Sequence, residues 1–153
     1  MARSVSTRAV VVGVVLLSLV TPVGAGAAPF VRVRAGTANV REGPSTKTPI
    51  VRRAYEDDPL RVLTRRGGWL KVRDFEGNVG WIHTSLTDQT SAVIVTASRA
   101  NIRSGPGRSY PVMATAEYGL AFRVTRDAGR WVEIELDGGS RGWVHEGLVW
   151  GDD

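Results

Sequence analysis

Short runs in which apolar and polar residues alternate recur along the chain and predict β-strands. In the run WLKVR at 69–73, Leu70 and Val72 share one face, while the tryptophan, the lysine and the arginine share the other. Similar runs lie at 31–33, 39–41, 60–64 and 79–83, and glycine-containing turns separate several of them. No segment keeps a helical period, and 45–53 is expected to form a long irregular loop around Pro49. The pattern predicts an all-β fold.

The pattern occurs twice, at an offset of 62 residues. Residues 31–87 align with 93–149 without a gap, and 19 of the 57 pairs are identical. The repeated motifs are Asn-Val/Ile-Arg-x-Gly-Pro at 39–44 and 101–106 and Gly-Trp-Ile/Val-His at 80–83 and 142–145, with one further tryptophan between them. A unit of about 60 residues is small but able to fold alone. Five or six short strands in that length favour a small closed barrel, because closure protects strand edges.

The repeat predicts the domain organisation. We expect one β-barrel at 31–87, a short polar linker at 88–92 and a second β-barrel at 93–150. So short a linker implies that the two barrels lie side by side and move little relative to each other.

Residues 1–27 have the layout of a secretory signal peptide. Arg3 and Arg8 precede the apolar run 9–20, and Ala25-Gly26-Ala27 offers a small-x-small cleavage site. The alternative is a membrane-anchoring helix, but this run has 12 residues and a spanning helix needs roughly 20. We therefore expect an exported protein, in the periplasm, the cell envelope or the medium, with no stable membrane span after signal removal.

The sequence contains no cysteine, which excludes disulfides, thiol nucleophiles and thiolate metal sites. It has 20 basic and 15 acidic residues, and loss of the leader removes two basic ones, which leaves a net charge of +3. This modest excess favours anionic cell-wall polymers or lipid headgroups. It is too small to indicate a nucleic-acid partner, since such binders usually concentrate charge in a patch.

Four tryptophans, two in each copy, lie on strand faces opposite the aliphatic residues. An indole on a polar face is a candidate ligand platform, because it offers broad apolar contact and one N–H donor. The alternative is that barrel curvature packs these rings into a secondary core. Both interpretations stay open for Trp69 and Trp131, which have charged neighbours, whereas packing is favoured for Trp81 and Trp143.

Arg41 and Arg103 recur inside the first motif and are candidate ligand-binding residues. A functional interpretation has each guanidinium meet a ligand carboxylate through two hydrogen bonds. The favoured alternative is a salt bridge or backbone bond that fixes the following loop. The adjacent Gly43 and Gly105 are expected to supply a backbone angle that only glycine tolerates.

The only histidines are His83 and His145, one in each copy. A zinc site needs three or four ligands, which neither copy offers, so we predict no metal and no cofactor. A hydrolase would need a nucleophile beside the histidine, but Ser85 has Gly147 as its counterpart. We expect the histidines to be structural hydrogen-bonding residues and the protein not to be an enzyme.

The motifs together resemble the bacterial SH3 (SH3b) domain family, especially its exported Gram-negative branch. The residues that carry the resemblance are ANVREGPST at 38–46, GGW at 67–69 and GNVGWIHTSL at 77–86, with their counterparts in the second copy. The resemblance implies two tandem SH3-like barrels outside the cytoplasm. Family members with known ligands bind cell-wall peptides, often near the loop after the first strand.

We hypothesise a non-catalytic binding protein for cell-wall (peptidoglycan) peptides or polymer. The alternative is a protein–protein adaptor in the cell envelope. The candidate ligand-binding residues are Trp69, Trp131, Arg41, Arg103, Trp81 and Trp143. Since the copies differ at 46–48 against 108–110, they can bind different ligands, or one can be purely structural.

Overall fold

The computed structural model describes residues 30–151, and the predicted leader at 1–27 lies outside these residues. The first copy contains seven strands and one short 3-10 helix. These are β1 Phe30–Val33, β2 Thr37–Arg41, β3 Ile50–Tyr55, β4 Pro59–Arg66, β5 Trp69–Arg73, β6 Val79–His83, η1 Thr84–Leu86 and β7 Thr87–Asp88. Within residues 30–151, no helix is long and apolar enough to cross a membrane.

The second copy repeats this series and adds one 3-10 helix. Its elements are β8 Ala92–Val95, β9 Arg99–Arg103, β10 Val112–Glu117, β11 Ala121–Ala128, β12 Trp131–Glu135, η2 Asp137–Gly139, β13 Arg141–His145, η3 Glu146–Leu148 and β14 Val149–Gly151. The strand order is β3-β2-β6-β5-β4-β1-β7 in the first copy, and the second copy has the same order in its own numbering. The prediction of two tandem small all-β units of SH3-like architecture is confirmed.

The strand count is higher than the sequence predicted, with seven strands in each copy rather than five or six. Residues 50–53, expected to belong to a loop, form the start of β3 and pair with β2. Their sequence, IVRR, lacks clear alternation, and pairing with β2 decides their conformation instead. The segment 88–92 contains Asp88 of β7 and Ala92 of β8, so only residues 89–91 lie outside strands.

The core of each copy follows the alternation of the strands. Leu70 and Val72 are 1% and 2% exposed, while their neighbours on β5 are half-buried. The buried members of the first core are all aliphatic: Val31, Val33, Ala38, Val40, Ala54, Leu60, Val62, Leu70, Val72 and Ile82. The second core has the same character, with Val93, Val95, Ala100, Ile102, Ala116, Val132, Ile134 and Val144. Burial of these small side chains is the main apolar stabilisation of each barrel.

A glycine in the middle of β6 lets that strand approach β2 closely. A Cβ atom at Gly80 would lie 2.5 Å from Val40 Cγ1 and 3.1 Å from the Arg41 carbonyl oxygen. The counterpart Gly142 is equally confined, since a Cβ there would overlap Ile102. The repeated glycine is therefore required by space rather than by its backbone angle.

A partly buried ion cluster links β1, β7 and the turn after β3 in the first copy. Arg32 is 9% exposed, and its Nη1 donates to Asp57 Oδ1 at 2.6 Å while Nε and Nη2 donate to the two carboxylate oxygens of Asp88. These hydrogen bonds lower the pKa of Asp88 to about 2. In the second copy the three positions carry apolar or small residues, namely Ile94, Gly119 and Trp150.

Two pairs of aromatic rings join the copies. Phe30 and Trp150 meet edge to face with ring centroids 4.9 Å apart, and Phe75 meets Tyr118 at 5.5 Å. The Tyr118 hydroxyl also donates to Glu76 Oε1 at 3.1 Å. The two barrels therefore lie against each other at the turns that follow β5 and β10, and where β14 approaches β4.

Replacement of Gly80 by alanine should destabilise the first barrel by about 1–3 kcal/mol, because the new methyl group overlaps the buried side chain of Val40 and lies tightly against the Arg41 carbonyl oxygen. Denaturant unfolding measures the change. The matched control is Gly36→Ala, where a Cβ meets no atom within 4 Å, and we expect a change of less than about 1 kcal/mol. Equal effects of the two substitutions would contradict the close contact.

The Arg32–Asp88 ion pair should make stability depend on acid. The pKa of Asp88 is about 2 in the folded chain against an ordinary value of 3.8. The pair therefore contributes fully above about pH 4, and its contribution is lost as the pH falls towards about 2. Asp88→Asn should lower the free energy of unfolding at neutral pH by about 1–3 kcal/mol. Its urea-unfolding free energy should also fall less steeply than the native one over that window, and parallel curves would contradict the assignment.

Candidate ligand-binding groove

A groove of about 190 Å³ opens on the second copy. Strands β9, β12 and β13 form its floor, and the loop between β9 and β10 forms one wall. The lining residues are Asn101, Arg103, Arg108, Trp131, His145 and Leu148. The structure thus brings Arg103 and Trp131, two of the sequence-predicted candidates, into one concave site.

Trp131 and His145 form the aromatic part of the groove. They are direct cross-strand partners on β12 and β13, with ring centroids 5.2 Å apart and planes at 89°. The indole is half-buried, so part of its surface remains available. Trp69 and His83 repeat this arrangement in the first copy, also at 5.2 Å.

Arg103 organises the wall of the groove. Its Nη1 donates to the carbonyl oxygens of Arg108 at 3.1 Å and Tyr110 at 2.8 Å. Arg41 likewise donates to the Thr48 carbonyl at 2.7 Å. For Arg41 and Arg103 the favoured expectation was a salt bridge or a backbone bond that fixes the following loop. The observed hydrogen bonds are of the second kind. In the second copy the fixed loop also contributes Arg108 to the groove lining.

The family models match both copies. A model described as "Bacterial SH3 domain" matches residues 36–88, and a second model with the same description matches residues 96–151. The chain is a tandem pair of bacterial SH3 domains. The groove therefore belongs to the second SH3 domain.

Relatives of these SH3 domains occur within longer proteins. The chain is 33% identical over 70 residues to YrvJ of Bacillus subtilis, named as an N-acetylmuramoyl-L-alanine amidase; the match covers 46% of this chain and 14% of YrvJ. It is also 33% identical over 61 residues to LytH of Staphylococcus epidermidis, named as a cell wall amidase. That match covers 39% of this chain and 21% of LytH. The chain thus spans only a small part of the curated relatives that it matches.

Two solved structures align with most of the chain. One is an NlpC/P60 family protein from Bacillus cereus, with 14% identity, a TM-score of 0.38 and coverage of 79% of this chain and 55% of that protein. The other is NlpC2 from Trichomonas vaginalis, with 16% identity, a TM-score of 0.36 and coverage of 81% and 48%.

The two SH3 domains differ at one position of the groove. The residues equivalent to its lining in the first domain are Asn39, Arg41, Thr46, Trp69, His83 and Leu86, so only Arg108 lacks an identical counterpart. Asn101, Arg108, His145 and Leu148 were not predicted as ligand-binding residues, and His145 was expected to be structural. The identities at offset 62 carried a signal for Asn101 and Leu148, whereas no repeat could indicate Arg108.

Trp143 lies outside the groove lining and is 7% exposed. The guanidinium carbon of Arg126 lies 5.1 Å from the centre of its ring. Arg126 is held there by Glu133, because its Nη2 donates a hydrogen bond to Glu133 Oε1 at 2.7 Å. This hydrogen bond, followed by that from Thr125, lowers the pKa of Glu133. Any ligand contact with Trp143 would therefore need Arg126 to move.

Trp81, the counterpart of Trp143, is half-buried and has different neighbours. Its cross-strand partners are Lys71 on β5 and Arg41 on β2. Thr64 takes the place of Arg126 in the first domain, so no arginine covers this indole from β4.

Space, and not the backbone angle, explains the glycines of the first motif. Neither Gly43 nor Gly105 has a positive φ, so the expectation of a special angle is wrong. A Cβ at Gly105 would overlap the ring of Tyr110, which packs on this turn. At Gly43 the neighbour is Thr48, whose hydroxyl donates to the Gly43 carbonyl at 2.9 Å. Each domain thus fixes the same turn with a different side chain.

Both histidines cap 3-10 helices. His145 Nδ1 accepts the backbone N–H of Gly147 at 3.1 Å, and His83 Nδ1 accepts that of Ser85 at 3.3 Å. Ser85 Oγ also lies 2.8 Å from His83 Nδ1, but no carboxylate hydrogen-bonds to this ring within residues 30–151. The same residues contain no group of three or more potential metal ligands.

His145→Phe should separate the two roles of this ring. Phenylalanine keeps the edge contact with Trp131 but cannot accept the Gly147 N–H, so we expect a loss of about 1 kcal/mol in the free energy of unfolding. Thermal unfolding together with the amide exchange rate of Gly147 measures the effect. Unchanged protection of that amide would contradict the capping role.

Proposed function

We propose that this protein is an exported, non-catalytic binding protein that holds a cell-wall peptide in the groove of its second SH3 domain. The observation that carries the proposal is the meeting of an indole, an imidazole and a second arginine in one concave site. Trp131 and His145, whose ring planes stand at 89° to each other, supply the aromatic surface of the floor, and Arg108 supplies positive charge at the loop.

The chemistry of the groove fits a short peptide that ends in a carboxylate. An indole offers broad apolar contact to a peptide with small side chains. Arg108 is exposed, and its side chain has no hydrogen bond or ion pair with other residues in the range 30–151. A guanidinium can hold a ligand carboxylate through two parallel hydrogen bonds. Peptidoglycan stem peptides combine these two properties.

The relatives support a role at the cell wall. YrvJ and LytH are named as amidases, and the segment shared with this chain is its SH3 part. An amidase needs a catalytic centre that a pair of SH3 domains does not supply. We therefore assign to this chain the binding role and not the hydrolysis, and we place the protein in the cell envelope or outside the cell.

A second candidate function is that of an adaptor for another envelope protein. It is favoured by a pair of exposed apolar residues that recurs on the outermost strand of each sheet. Ile50 and Val51 on β3 are 48% and 51% exposed, and Val112 and Met113 on β10 are 46% and 48% exposed. An edge strand with apolar side chains can pair with a strand of a partner protein.

A titration with a defined muropeptide tests the groove. Chemical shifts of the full chain should move around Trp131 and the loop at 104–111. Trp131→Ala should weaken binding by about 30-fold, because a central aromatic contact is lost. Arg108→Thr, which installs the residue of the first domain, should weaken binding by about tenfold.

The first domain supplies the matched controls. Trp69→Ala should leave the affinity within about twofold of the native value, and Thr46→Arg should give the first domain a measurable response. A response confined to the first domain would contradict the proposed groove. Recovery of a protein partner by cross-linking, with no shift change on addition of muropeptide, would favour the adaptor.

A further inference from the structure

We propose that the outer face of the first domain's sheet is a second binding surface, and that its ligand is a linear polyanion. We call this surface the basic face. It consists of Arg41, Arg66, Lys71 and Arg73, with Trp69 and Trp81 between them. The proposal is independent of the groove in the second domain, since it concerns different residues and a different ligand.

The strand register places these side chains together. Arg66 on β4 pairs with Trp69 on β5. One row further along the sheet, Lys71 pairs with Trp81 on β6, and Trp81 pairs with Arg41 on β2. Directly opposed residues of antiparallel strands project from the same side of a sheet. The cations and the indoles therefore alternate across one continuous surface.

The spacing of the rows suits a repeating ligand. Arg73 follows Lys71 by two positions on β5, so their side chains are separated by about 7 Å along the strand. Neighbouring strands lie about 4.8 Å apart. Positive charges thus recur at intervals similar to those between charged groups of a phosphodiester or acidic sugar chain.

Within residues 30–151, the charges of the basic face have no counterions. Arg66, Lys71 and Arg73 make no ion pair and no side-chain hydrogen bond with the residues of 30–151. Arg41 Nη1 donates a hydrogen bond to the Thr48 carbonyl, which is a neutral acceptor. The positive charge of the surface therefore remains available to a ligand.

The second domain shows that this arrangement is not a requirement of the fold. At the positions of Lys71 and Arg73 it has Glu133 and Glu135. Arg126 Nη2 forms a salt bridge with Glu133 Oε1 at 2.7 Å, and Arg123 Nη2 lies 3.5 Å from Glu135 Oε1. The equivalent face of the second domain thus neutralises itself across its strands, and the duplicated strand folds with either set of charges.

The two domains also differ in overall charge. Residues 30–88 contain 11 basic and 7 acidic residues, a net of +4, whereas 92–151 contain 7 basic and 6 acidic residues, a net of +1. Most of the excess positive charge of the exported part therefore belongs to the domain that carries the basic face. A polyanion would be attracted to this domain in preference to the other.

A flexible polymer fits the basic face better than a membrane surface does. Membrane binding of this kind needs apolar side chains that protrude into the lipid. Trp69 and Trp81 are half-buried among the cations, so they cannot insert, but they can stack on the uncharged sugar or polyol units of a polymer.

Titration of the full chain with poly(glycerol phosphate), followed by calorimetry, tests this proposal. At about 50 mM salt, Lys71→Glu combined with Arg73→Glu should weaken binding at least about tenfold, and the salt dependence of the affinity should become shallower. The pair Lys71→Gln and Arg73→Gln tests the same surface without charge reversal. Neutral dextran should not bind measurably.

The control is a double variant in the second domain that changes the formal charge of the chain by the same amount as Lys71→Glu with Arg73→Glu. Arg99→Glu combined with Arg130→Glu alters the second domain and should leave the affinity for the polymer within about twofold. Equal losses for both double variants would overturn the proposal, because binding would then follow net charge alone. Tighter binding to phosphatidylglycerol vesicles than to the polymer would also overturn it. Trp131→Ala should not affect polymer binding, so the basic face and the groove can fail separately.

Discussion

The close approach of β2 and β6 at Gly80, and of β9 and β13 at Gly142, is the contact on which the rest of each domain depends. It lets a core of small aliphatic side chains close a barrel of about 60 residues without a disulfide. It also places Arg41 directly opposite Trp81 and Arg103 opposite Trp143. From that position each arginine reaches the carbonyls of the next loop and fixes it. The loop in turn forms the wall of the candidate groove.

Outside this shared skeleton, equivalent positions of the two copies carry side chains of different chemistry. Arg32, Asp57 and Asp88 form a partly buried ion cluster where the second copy has Ile94, Gly119 and Trp150. An ion pair with little exposure to solvent can be exchanged for apolar residues with little loss of stability, provided that all partners change together. In the second copy Trp150 occupies the position of Asp88, and its ring packs on Phe30 at the contact between the domains.

The same divergence gives the two domains different surfaces. The second domain neutralises its outer sheet face through Arg126 and Glu133, and the guanidinium then lies over Trp143. Of its two motif tryptophans, Trp131 is therefore the more accessible one, and it lies half-buried in the groove that Arg108 also lines. The first domain lacks these acids and keeps both indoles among cations. The two proposed binding sites, one for a small carboxylate ligand and one for an extended polyanion, thus lie on different domains.

Sequence alone determined the duplication, the all-β architecture and the inward faces, because strand alternation and a repeat at fixed offset are local patterns. Leu70, Val72 and Ile82 are buried as predicted for that reason. The sequence alone did not determine that residues 50–53 join a strand, that Arg108 lines the groove or that Arg126 covers Trp143. Those outcomes depend on how distant segments approach one another: pairing of β3 with β2, the bonds from Arg103 to its loop, and a salt bridge across β11 and β12. Only the tertiary structure brings these groups within reach of each other.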